Sequence, residues 1–245
     1  MTGPTGFPGG TAVSRLRVYD SASVDGVRGG TPHLHTVSTE GYIVLAGIGA
    51  LQTISADGYA ERPLAPGTVL WFTPGTVHRL INHGELELIV VMANAGLPEA
   101  GDAVMTFPDE VLADPARYHR AATLPAGPGR AAAARVRRDL GVTGFLTLRA
   151  AVEAGDTAAL DRLHAHAARL VARHGDSWRA TWAGTVGAET RATDAALTAL
   201  AHGRAPHLSA AAVTDAPARP GAVLGMCGHQ TTFDLTVRTS TGAPA

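Results

Sequence analysis

The sequence predicts an all-β domain in its N-terminal half and a mostly α-helical region after it. Two observations carry this reading. Between Val13 and Met92 short apolar stretches recur at close spacing, separated by clusters of Gly, Pro, Asn and Asp. After residue 134 the apolar positions of several segments fall at the three-and-four spacing of an amphipathic helix.

The strands follow in order. Val13 to Tyr19 alternates, with Ser14, Leu16 and Val18 on one face and Val13, Arg15, Arg17 and Tyr19 on the other. Further strands are predicted at His33 to Val37, Gly41 to Ala46, Ala50 to Ile54, Val69 to Phe72, Val77 to Ile81 and Leu86 to Met92. Turns are read at 56–58, 65–67, 73–75 and at Asn82-His83-Gly84. Six or seven such strands make a sandwich or barrel, and with no helical pattern between them a parallel sheet is excluded.

The remaining organisation is read from composition and periodicity. Residues 1–12 open on Pro and Gly and are expected to be a disordered tail; 13–121 form the β domain. Residues 122–134 (ATLPAGPGRAAAA) carry no period and read as a linker. Residues 135–245 are expected to be mostly helical. One helix spans Thr157 to His174, N-capped by Asp156 and stopped by Gly175; the next is capped by Ser177 and puts Trp178 and Trp182 on one core face; a third runs from Glu189 to Ala201. Residues 222–237 are expected to return as one or two strands.

Composition removes whole classes of chemistry. All 20 basic residues among the 245 are Arg, so Schiff-base chemistry and a phosphate-loop Lys are excluded. A single Cys, Cys227, excludes a disulfide framework. A net charge of −1 argues against nucleic acid as a partner, and Arg135, Arg137 and Arg138 are too scattered for a recognition helix. The longest apolar runs lie within Ile43 to Ala46 and Leu86 to Ala93, far short of a membrane span, and the first residues lack the pattern of a signal peptide. A soluble, cytoplasmic protein is therefore expected. The surplus is in His, of which there are 11.

Four residues carry the chemistry. His33 and His35 stand two apart on a strand and share a face; Glu40 follows as the chain turns, and His78 joins from a distant strand. Three imidazoles and a carboxylate suit Zn, Mn, Fe, Ni or Cu(II) better than Ca. Leu80 is expected beside His78, with Tyr42, Gln52, Trp71 and Met92 as candidates to line a cavity and Arg79 pointing outside. Asn82 is read as a turn residue and His83 as facing solvent. His164 and His166 repeat the spelling on a helix, where positions two apart point about 200° apart and cannot share an ion. Cys227 with His229 is a weaker nucleophile pair, and Tyr118-His119-Arg120 reads as a solvated helix face.

His33-x-His35-x4-Glu40-x6-Gly47 resembles the first signature of the cupin family, and Gly67-x7-Gly75-x2-His78-x3-Asn82 resembles the second. The likeness extends over about residues 13–95, although the leading Gly of the first signature falls on Val27 and the Pro of the second on Thr73. It implies a jelly-roll barrel over 13–121, with His33, His35, Glu40 and His78 as the ligands of one divalent transition metal ion (Fe, Mn, Zn, Ni or Cu). It further implies a metal-dependent enzyme, a dioxygenase or isomerase, acting on a small organic molecule. The other reading is a non-catalytic cupin that binds a metal or small ligand in a sensing or regulatory role. Jelly rolls expose strand edges, so a homodimer is expected.

Overall fold

The computed structural model describes residues 6–235. Nine strands are followed or interrupted by six α-helices among these residues. In chain order they are β1 (Ala12–Val18), β2 (His33–His35), β3 (Glu40–Ser55), β4 (Gly58–Leu64), β5 (Val69–Phe72), β6 (Val77–Met92), β7 (Ala103–Met105), α1 (Asp109–Leu112), α2 (Pro115–Ala122), α3 (Arg130–Glu153), α4 (Ala158–Val171), α5 (Gly175–Gly184), α6 (Val186–Ala201), β8 (Val223–Leu224) and β9 (Gly228–Thr232).

Two long strands organise the domain. β3 and β6 pair antiparallel along nearly their whole length, with register shifts between Val44 and Gly49. There Gly47 adopts φ +74°, and a Cβ on it would lie 2.2 Å from the Glu85 carbonyl oxygen. Only glycine fits a backbone approach that close. The irregularity bends both strands, so their halves belong to two facing layers. One layer runs β5-β3-β6-β1-β9-β8; the other runs β4-β3-β6-β2-β7. Segments read as separate strands at 41–46 and 50–54, and at 77–81 and 86–92, are thus single bent strands. Asn82-His83-Gly84 lies inside β6 rather than in a turn. The Asn82 side chain braces the bend, donating to the Val18 carbonyl at 3.0 Å and accepting from the Leu86 N–H at 3.1 Å.

The expected jelly-roll barrel does not close. Among the described residues β4, β5, β7 and β8 each end a layer. Closure fails because β1 pairs on its free side with the β8–β9 hairpin instead of with a strand of the second layer.

Strand alternation divides the core. Leu16, Tyr42, Val44, Leu80, Leu88 and Val90 point between the layers. Leu34, Ile54, Val77 and Val104 point the other way, from the back of the second layer onto Phe145 of α3 and Leu160, Leu163 and Leu170 of α4. Each of these buried side chains contributes about 1.5–3 kcal/mol. The helices therefore cover the outer face of the second layer.

α3 begins at Arg130, inside the stretch read as linker, because the run Ala131 to Ala134 favours helix strongly. Its middle is held close to the sheet by glycines. A Cβ on Gly144 would stand 2.1 Å from the Thr106 carbonyl oxygen, and one on Gly141 2.9 Å from Thr31 Cγ2. Gly144→Ala gains helix propensity but overlaps backbone, an overpacking cost of about 1–3 kcal/mol. We expect its melting temperature to fall by roughly 3–10 °C. A melt unchanged or raised would mean that α3 does not seat on β7 at this point.

Other boundaries also differ from expectation. Asp156 accepts from the Ala158 N–H at 3.1 Å and opens α4, but Gly175 has helical angles and begins α5 instead of ending a helix. Ser177 is not a cap; its hydroxyl donates back to the His174 carbonyl. Trp178 is buried and stacks on His174, whereas Trp182 is 43% exposed. Of the expected tail, residues 1–5 lie outside the described residues; Pro8–Gly10 forms one 3-10 turn, with Gly10 buried against Val186 of α6. The return strand is the β8–β9 hairpin; residues 236–237 of the predicted stretch lie outside the described residues. No helix among the described residues is long and apolar enough to cross a membrane.

Candidate metal centre

The fold brings the four motif residues together. One donor atom from each of His33, His35, Glu40 and His78 lies within 4.8 Å of all the others, and all four residues are buried. β2 supplies two of them because its alternation turns His33 and His35 inward and Leu34 outward to the helices. His78 sits directly opposite His33 in the β2–β6 ladder. Glu40 opens β3.

The donor atoms converge. His33 Nε2 and His78 Nε2 are 3.1 Å apart, and Glu40 Oε2 is 3.1 Å from both His35 Nε2 and His78 Nε2. The far nitrogens are tied outward: His33 Nδ1 donates to the Thr31 carbonyl at 2.9 Å and His78 Nδ1 to the Thr76 carbonyl at 3.1 Å. A carbonyl only accepts, so each Nδ1 carries a proton and each Nε2 is the nitrogen left to face the cluster. Ligands bound at about 2.0–2.1 Å on adjacent corners of one ion stand roughly 3 Å apart, so the residues present fit a divalent transition metal.

Electrostatics agree with the geometry. Burial, together with the neighbouring His78 and His35, holds His33 well below the usual imidazole range and therefore neutral. Burial opposes ionisation of Glu40, but the charges and hydrogen bonds of His78 and His35 outweigh it and keep the carboxylate ionised. His35 differs. Burial would lower it, yet Asp102 and Glu40 on either side push it up to about 9. Asp102 Oδ2 lies 3.5 Å from His35 Nδ1. This carboxylate is fixed by the backbone N–H groups of Thr36, Val37 and Ser38 at 2.8–2.9 Å. Burial would raise its pKa, but those donors and His35 hold it below the ordinary Asp range. The sequence motifs contain nothing that marks Asp102, which sits in the loop before β7.

A cavity of about 250 Å³ opens onto the cluster, with His33, His35 and Glu40 in its wall. Met92 lines it as expected. Leu80 is buried next along the His78 face, and Tyr42 is buried between the layers with its ring 5.4 Å from Phe72. Trp71 does not line this cavity: it pairs with Gly41 at the edge strand β5 and is 72% exposed. Gln52 turns to Glu61 on β4. Arg79 does face away from the cluster, but it is buried and binds Asp25 through both terminal nitrogens, pinning the loop before β2. Arg138 is buried too, donating to the carbonyls of Ser21, Ala22 and Gly29 in that loop.

The secondary candidates separate. His164 bonds the Gly75 carbonyl at 2.8 Å while His166 meets Asp109, so the two share nothing. Cys227 is buried on the cavity wall, and burial and the Glu40 carboxylate push its thiol well above the ordinary range; His229 is exposed and turns onto Tyr19. They form no nucleophile pair. Tyr118 is in the core rather than on a solvated face, accepting from the Met105 N–H at 3.1 Å. His83 is exposed.

Two antiparallel layers joined by bent strands, with three histidines and a glutamate converging between them, define a small β domain built around a donor set compatible with a metal ion. Residues 24–93 match the family described as Cupin domain, and this part of the chain is a cupin domain. No curated protein matches the chain in sequence. Among solved structures, it is similar to a Streptomyces protein bound to uridine, at 19% identity and a TM-score of 0.27 over 34% of this chain and 58% of that one. A further structure of that protein describes it as a nucleoside dehydratase. The TDP-fucose-3,4-ketoisomerase of Campylobacter jejuni is 14% identical with a TM-score of 0.31, over 38% of this chain and 64% of that one. A predicted oxalate decarboxylase of Thermotoga maritima is 22% identical with a TM-score of 0.26, over 34% and 64%. The chain thus spans less than two thirds of the length of each of these three.

Proposed function

We propose that the chain is a metal-dependent cupin enzyme that acts on a small organic molecule, with His33, His35, Glu40 and His78 holding one divalent transition metal ion. The observation that carries this reading is the convergence of three imidazole nitrogens and one carboxylate oxygen, all within 4.8 Å of one another, at the wall of a cavity. When bound, the ion supplies Lewis acidity toward a substrate oxygen, or access to O2 if it is iron, which makes isomerase or dioxygenase chemistry the matching reaction types. The chain's own residues orient and shield. The Thr31 and Thr76 carbonyls fix two imidazole rings, and Phe72, with its ring 4.3 Å from that of His78, excludes water from one side. Elemental analysis of untagged protein tests the reading: one divalent ion per chain is expected, and none above trace after soaking with divalent salts would remove the enzyme.

We also propose a homodimer. The outer face of the first layer exposes Ile43, Leu45, Ile48, Val69 and Trp71 together, and β5 pairs on one side only among the described residues. A patch and an edge of this kind are covered most simply by a second copy. Light scattering at micromolar concentration is expected to give twice the chain mass; the monomer mass would exclude it.

A further inference from the structure

The C-terminal hairpin reaches the cavity from the far end of the sequence. β9 pairs with β1 so that Thr232 stands opposite Ser14 and Gln230 opposite Leu16. Ser14 and Leu16 face between the layers, so Gln230 and Thr232 do as well. The turn of the hairpin is pinned from three sides. The Gly225 carbonyl accepts from Tyr19 Oη at 2.9 Å and from Arg137 at 3.1 Å, the Cys227 carbonyl from the Tyr19 N–H at 3.1 Å, and the Met226 carbonyl from the Thr31 N–H at 2.9 Å. Beside it, Arg219 is held by its own N–H on the Thr232 carbonyl at 2.8 Å and belongs to the cavity lining, with its side chain 60% exposed at the rim.

The polar groups of this wall favour an anion. A divalent ion with Glu40 leaves the floor one positive charge, and Arg219 adds another at the rim, where its ion pair with Asp234 is loose at 3.9 Å. Glu99, the other acid on the lining, accepts from the Gly96 N–H at 2.8 Å and keeps its charge, but it is exposed, so water screens it. The Ser14 hydroxyl, only 7% exposed, accepts from Gln230 at 2.7 Å, which leaves its own proton to donate into the cavity. A volume of about 250 Å³ is smaller than the roughly 300–1,000 Å³ of pockets for drug-sized ligands.

Resting on the metal reading above, we infer that the hairpin is the specificity wall of the site. It selects a small organic acid that presents an oxygen donor to the ion at one end and a carboxylate to Arg219 at the other, with Ser14 and Gln230 beside it. Succinate, acetate and butane-1,4-diol probe the inference when titrated into the Co(II)-loaded full chain and followed by the visible absorption of cobalt. Succinate is expected to bind more tightly than the diol. Arg219→Ala should weaken succinate about tenfold while leaving acetate and Co(II) affinity unchanged, and Arg219→Lys should recover part of the loss. Equal succinate affinity in wild type and Arg219→Ala, or a diol that binds as tightly as succinate, would overturn the inference and leave the metal reading standing. Failure of wild type to take up cobalt at all would overturn both.

Discussion

Replacing His78 with alanine is expected to empty the proposed metal centre: the wild type should retain one divalent ion per chain through gel filtration and the variant almost none. His78 is the hub of the cluster, with its Nε2 at 3.1 Å from both His33 Nε2 and Glu40 Oε2. Four-ligand sites supply roughly 10–16 kcal/mol, so one ligand is worth roughly 2.5–4 kcal/mol and its loss weakens binding on the order of a hundredfold. The variant also leaves Glu40 buried with one neighbour fewer, so its metal-free form melts below wild type. His83→Ala is the control, because that ring is exposed outside the layers. Equal metal content in wild type and His78→Ala would place the ion elsewhere on the protein.

The metal-free and metal-loaded proteins respond oppositely to rising pH. In the metal-free chain His35 is pushed up to about 9 by Asp102 and Glu40. Its ordinary value is near 6.5, so the stability this proton contributes is fully present below about 6.5 and lost as pH rises through about 9. Glu40 and Asp102 are depressed, so their contribution is present above the ordinary carboxylate range and lost only in acid. Metal binding must displace the His35 proton. Apparent affinity therefore rises about tenfold per pH unit up to about pH 9, and binding at pH 7.5 releases about one proton. Melting curves from pH 6.5 to 9.5 with and without zinc measure the opposing slopes, and calorimetry in two buffers of different ionisation heat counts the proton. A metal affinity flat over this range would show that His35 is already neutral in the empty site.

The metal cluster was legible because it depends on local facts: a period of two in His33-Leu34-His35, a carboxylate at the next strand's start, and turn glycines that keep a third histidine in register. The faces of β1 and the inward histidines follow from alternation alone. What stayed hidden depends on tertiary contact. Nothing local distinguishes Asn82-His83-Gly84 in a bent strand from a hairpin turn; the difference is whether the partner strand bends with it. α3 contains Gly141 and Gly144, poor helix residues that are there because backbone from β7 and the loop before β2 lies against them. Tyr59 to Leu64 alternates poorly and carries Pro63, which an edge strand such as β4 tolerates. Asp102 and Gln230 gain their roles only from partners far along the chain.

The pairing of β1 with β9 has a consequence for biosynthesis. β1 leaves the ribosome first and waits for a neighbour that lies about two hundred residues later, roughly 10–40 s at common elongation rates. The metal ligands are all made by residue 78, so the ion can be captured while the substrate wall does not yet exist. On the proposed reading a nascent chain completes its ligand set before its specificity wall, and throughout that interval the free edge of β1 is open to aggregation.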